Sequence, residues 1–134
     1  MSRSLIQVAN QSTQAVAINS IISLGSVQRR FGCNCRLSGN AIEISGEGYY
    51  EITGTVSIAP TAEGNVTVAL YDNGSQLTGA VAYATVAGAG DFVTLPIVAT
   101  IRQACNCDSA DNLTLVLVEG AGTVTNVSLR VEKA

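Results

Sequence analysis

Four cysteines are the side chains whose type and spacing suggest chemistry. They come as two copies of one phrase, Cys33-Asn34-Cys35 within RFGCNCRLSG and Cys105-Asn106-Cys107 within QACNCDSA. Residues i and i+2 of a strand share a face and lie about 7 Å apart, so each phrase would present two thiols to one side. On neighbouring strands the two phrases would bring four sulfurs together. Cross-strand disulfides, 33 with 105 and 35 with 107 or crosswise, would then close loops of about seventy residues and contribute about 2–4 kcal/mol in the chain-entropy picture. Four thiolates could also satisfy tetrahedral zinc, although one residue between ligands is tighter than the usual spacer of two to four. Reduced, buried thiols are the third state. Disulfides lead, reduced thiols follow, and a metal at Cys33, Cys35, Cys105 and Cys107 comes last.

Little else in the chain offers catalysis. There is no histidine among 134 residues, which removes the usual proton-transfer base near neutrality. Asp108 and Asp111 beside Cys107 read as a solvated loop rather than a cation site. Arg29-Arg30 could bind an acidic neighbour or simply be hydrated. Gly88-Ala89-Gly90-Asp91 lacks the lysine and following helix of a phosphate-binding loop. Asn-x-Ser/Thr triplets begin at Asn10, Asn65, Asn73, Asn112 and Asn126, several of them inside strand patterns, and are read as turn and strand-face residues. Neither a catalytic residue nor a cofactor is expected, and the protein is not read as an enzyme.

Composition bounds the rest. A chain of this length makes one domain with one core. Only 13% of residues are charged against 47% apolar, so part of the surface is expected to lie against other chains. A net charge of −3 supplies no excess of cations for phosphates, which argues against nucleic acid. The opening MSRSLIQVANQSTQ lacks a continuous apolar segment of the secretory kind, and no stretch approaches the roughly 18 apolar residues of a spanning helix. Neither export by that route nor a membrane partner is expected. Synthesis in a reducing cytoplasm then favours thiols at first, with any bridging left to a later oxidising environment.

The elements that must position these residues are strands. In GYYEITGTVSIAP, residues Tyr50, Ile52, Gly54, Val56 and Ile58 alternate with polar neighbours. NVTVALYD places Val66, Val68 and Leu70 on one face, and Asp72-Asn73-Gly74-Ser75 is hairpin chemistry leading to LTGAVAYATVA. FVTLPIVATIRQ turns Val93, Leu95, Ile97, Ala99 and Ile101 inward, with Pro96 demanding an edge or a bulge. NLTLVLVEG carries Leu113, Leu115 and Leu117 on one face and Val116 and Val118 on the other, so both faces need apolar cover, which a subunit contact would supply. TVTNVSLRVEK points Val127, Leu129 and Val131 inward. Residues 1–30 read as an N-terminal arm or early strands, ahead of a domain over 31–134. The expected class is all-β, an antiparallel jelly-roll sandwich of about eight to ten short strands.

The order of motifs carries a resemblance. Gly48-Tyr49-Tyr50 opens a long strand, Leu70 through Asn73-Gly74 ends another, and Asp111-Asn112-Leu113 opens a penultimate one. Over residues 40–134 this resembles the jelly rolls of the tumour necrosis factor and complement globular-head superfamily, which implies a homotrimer. With two Phe and four Tyr, the core must be filled by Ala, Val and Leu instead of the aromatics usual there. A closer likeness, through RFGCNCRLSGNAI, GYYE and NVSLRVEK, is to small proteins of gut-associated Firmicutes and their phages. It implies a structural virion protein, a capsid decoration or head fibre bound to other virion proteins. The alternative is a receptor- or glycan-binding tip domain on a phage fibre or a bacterial cell or spore surface.

Overall fold

A computed structural model describes residues 4–32, 34–88, 90–103 and 111–133, with only the backbone of Asp111. Twelve strands run through them: β1 (Leu5–Asn10), β2 (Gln14–Val16), β3 (Ser20–Ile21), β4 (Ser26–Phe31), β5 (Cys35–Ser38), β6 (Ala41–Ile44), β7 (Gly48–Pro60), β8 (Gly64–Asp72), β9 (Ser75–Val86), β10 (Val93–Gln103), β11 (Asp111–Glu119) and β12 (Gly122–Lys133). No helix occurs among the described residues. The count exceeds the expected eight to ten because β2 and β3, three and two residues long, are too short to show a period.

Two antiparallel sheets form. One has the order β10-β7-β12-β1-β4, with β2 beside β12; the other has β5-β6-β11-β8-β9, with β3 beside β11. Alternation in the long strands follows from this layering, since each sheet sends every second residue into the shared core. Tyr50, Ile52, Val56 and Ile58 of β7 meet Val66, Val68 and Leu70 of β8, with Leu113, Leu115 and Leu117 of β11, in one cluster of fully buried side chains. Ile6 and Val8 of β1 belong to the same cluster, so the sequence's opening segment contributes core. Gly54 faces inward where any Cβ would collide with Leu129 Cδ1 and Ser128 O, each 2.7 Å away. Its missing side chain lets β12 pack close.

Pro96 lies on β10 opposite Thr55, at a sheet edge, the kind of position to which its missing donor confines it. Asn73 (φ 53°) and Gly74 (φ 84°) make the tight hairpin between β8 and β9, both in the left-handed region. In β12 the register shifts between Val124 and Asn126, so Val124 and Val127 both point inward although three residues apart.

The second face of β11 differs from expectation. Val116 is only 8% exposed, because Ala69 of β8 and Ile21 of β3 flank it in register. The chain covers that position itself, so a subunit contact is not needed there.

Candidate assembly face and cysteine rim

The outward face of the β10-β7-β12-β1 sheet is ordered in rows by strand register. Ser57 lies between Thr94 and Asn126. Thr55 lies between Pro96 and Ser128, with Ala9 beyond; Thr53 lies between Val98 and Arg130, with Gln7 beyond. The Ser57 and Thr94 hydroxyls bond each other at 3.0 Å. Small side chains in the middle row leave a shallow depression of about 360 Å³ bordered by Gln7, Thr53, Thr55, Val98 and Ser128. Val98 stands 66% exposed beside it. Charge gathers toward one end of the sheet, where Glu51 opposes Glu132 and Arg130 reaches Glu132 at 3.3 Å. Short, mostly uncharged side chains desolvate at low cost, as the depletion of charge at interface centres reflects.

That charged end leads to a rim built around the first Cys-Asn-Cys phrase. Asn34 is its hub. The Asn34 side-chain amide donates to Ser45 O (2.8 Å), its Oδ1 accepts from Ser4 Oγ (2.6 Å), and its backbone carbonyl accepts from Ser45 N (2.8 Å). Gly46 passes so close to Asn34 Nδ2 that a Cβ there would overlap it. The Tyr50 hydroxyl, at the end of a fully buried ring, reaches Ser45 O and Gly46 O. Lys133 N donates to Ser4 O at 2.8 Å, bringing the last strand to the same rim.

Cys35 opens β5 opposite Ile44 and is a free, buried thiol. Burial pushes it up to about 11, against the opposing pull of the Arg30 and Lys133 cations. It is therefore a poor nucleophile near neutrality. Ile44 also pairs with Asp111, and Gln103 pairs with Gly48, so the end of β10 and the start of β11 lie near Cys35. Cys33, Cys105 and Cys107 lie outside the described residues, as does the side chain of Asp111. Among the described residues no cluster of three or more His, Cys, Asp or Glu could hold a metal ion.

The motif residues take structural places. Gly48 (φ 146°) lies under the Lys133 side chain, Tyr49 is exposed opposite Arg102, and Tyr50, Leu70 and Leu113 are buried. Asn73 Oδ1 accepts from Asn112 N at 2.9 Å, and Asn73 N donates to Asn112 O at 2.9 Å, clamping the hairpin tip to β11. The Asn34 hub has no sequence signature, because its partners are mostly backbone atoms and hydroxyls distant in the chain.

No family model and no curated protein matches the sequence. Solved structures do. Murine APRIL at pH 5.0 superposes with a TM-score of 0.75 over 99% of this chain and 100% of its own, at 10% identity. The globular domain of zebrafish complement 1qA gives 0.69 over 94% of each chain at 9% identity. PRD1 vertex protein P5 gives 0.64 over 97% of this chain and 96% of its own, at 16% identity. With its strand order and paired sheets, the chain has the jelly-roll fold shared by tumour necrosis factor and complement globular-head structures.

Proposed function

We propose that the protein is a non-enzymatic structural component of a virion, a homotrimeric jelly roll serving as a capsid decoration or head fibre. The observation that carries this reading is the outward face of β10-β7-β12-β1, with its rows of short side chains around a shallow depression and an exposed Val98. Such a face suits another flat protein surface better than a small molecule, which needs a deeper and more enclosing site. The threefold assembly implied by the family resemblance and the likeness to a vertex protein support the same reading. Repetition on a lattice multiplies even a modest contact per subunit. In this reading the thiols stay reduced during synthesis and pair with the second Cys-Asn-Cys phrase only after release into an oxidising medium.

Native mass spectrometry with and without reductant tests the assembly. Three-chain particles are expected, and Ser128→Arg with Val98→Arg should yield single folded chains with unchanged circular dichroism. Single chains of the unsubstituted protein under every condition would remove the trimer.

A second reading, a glycan-binding tip, is favoured by Tyr83. It is 75% exposed on β9 in register with Thr67, which in turn pairs with Glu119, while Thr85 Oγ1 bonds Asn65 Oδ1 at 2.8 Å nearby. An open ring beside polar side chains can stack on a sugar and bond its hydroxyls. Specific glycan-array binding lost in Tyr83→Ala would establish that role.

A further inference from the structure

Strand β4 has a surface that the assembly face does not use. All six of its residues are exposed, and among the described residues it pairs only with β1, at the end of its sheet. An edge strand offers unpaired backbone donors and acceptors to any extended chain that can lie beside it. Depressions flank both ends. One, of about 270 Å³, is bordered by Ser4, Leu5, Phe31 and Glu132; the other, of about 430 Å³, by residues including Asn10, Ser26 and Gln28. Between them sit Arg29 and Arg30. Register places Arg29 opposite Gln7 and Phe31 opposite Leu5, both on the outward side, with Phe31 64% exposed. Arg30 faces the other way and donates from Nε to Cys35 O at 2.8 Å. Neither arginine has a carboxylate partner among the described residues.

We propose that β4 is a docking edge for an extended acidic segment of a partner protein, added as a further strand, with a carboxylate facing Arg29 and an apolar side chain facing Phe31. The choice of occupant follows from charge. The sheet-edge strands β4, β5, β9 and β10 contain no Asp or Glu, so none of these described edges of a second copy supplies the missing carboxylate. Two copies joined antiparallel through the full length of β4 would set Arg29 opposite Gln28 and Arg30 opposite Val27, leaving the arginines of the two copies as like-charged diagonal neighbours. The arginines thus repel the wrong strand and bind the right one, which is how specificity is set by repulsion as well as attraction. Six extended residues span about 20 Å, enough for side chains of one partner strand to reach both depressions.

The test uses the full chain and a labelled, capped peptide, Thr-Leu-Thr-Glu-Thr-Val, whose Leu and Glu share one face two residues apart, compared with its Lys-for-Glu counterpart. The acidic peptide should bind at least about tenfold more tightly, and Arg29→Glu should erase that preference. Phe31→Ser should weaken the acidic peptide by about fivefold. Hydrogen exchange should slow at the backbone amides of residues 26–31 when the peptide saturates. Methylating alternate peptide nitrogens on the pairing side should abolish binding. Equal affinity for both peptides, unchanged exchange in β4 at saturation, or exchange protection in β9 or β10 instead would overturn the proposal. Because these readouts do not depend on chain number, they stand apart from the trimer measurement.

Discussion

Strands β4 and β11 lie at opposite extremes of the same sandwich. In β11, Leu113, Leu115 and Leu117 are fully buried and even the outward Val116 is 8% exposed. Its edges are occupied by β6 and β3 on one side and β8 on the other. In β4 every residue is exposed and one edge is open. The contrast separates what holds this molecule together from what it offers to others. Burial of apolar surface, the largest favourable term in folding, is concentrated at β11 and almost absent at β4. The exposed strand can therefore vary in composition with little effect on the fold, and its arginines and phenylalanine are free to serve recognition.

Substitutions sharpen that division. Leu115→Ala should have the largest effect, lowering unfolding free energy by about 3 kcal/mol in denaturant titration, because it leaves a cavity between the sheets. An effect near zero would mean that β11 does not organise the core.

The joint between the two regions comes next. Since burial raises the Cys35 thiol, the folded state holds its proton more tightly than the unfolded chain. Its contribution is complete below the ordinary thiol value of 9.0 and fades as pH rises to about 11. The loss should amount to about 2 kcal/mol, read as the difference between the unsubstituted protein and Cys35→Ala so that contributions common to both cancel. Parallel pH profiles for the two proteins would contradict the buried-thiol assignment.

Asn34→Ala should cost about 1–2 kcal/mol, since it takes away the acceptor of Ser4 Oγ and the donor to Ser45 O. Faster hydrogen exchange at Ser45 and Gly46 would mark the rim as the place of loss. Smallest of all, Phe31→Ser should change stability by less than about 0.5 kcal/mol. A drop comparable to that of Leu115→Ala would show that β4 belongs to the core and not to the recognition surface.

The same contrast explains what could be read in advance. Periodicity is a trace of one-sided burial, so β7, β8 and β12 announced themselves through Tyr50 to Ile58, Val66 to Leu70 and Val127 to Val131. Asn73-Gly74 and Pro96 were legible because their backbone demands are local. Strand β4 gave no signal, for a strand buried on neither side has no alternation to show. The cover over Val116 was invisible because it comes from Ile21 in a two-residue strand. Asn34 was hidden differently. Its neighbours Cys33 and Cys35 drew attention to sulfur, whereas the amide between them joins Ser4 to Ser45 through contacts that only folding creates.

Pairing of β1 with β12 sets Leu5 against Glu132, so these two positions lie side by side at one pole of the sandwich. Any tether grafted to residue 4 or 133 would hang from that pole. The turns at 61–63 and 120–121, joined there by Thr61 N donating to Ala121 O at 3.1 Å, would then point away like the crown of a post.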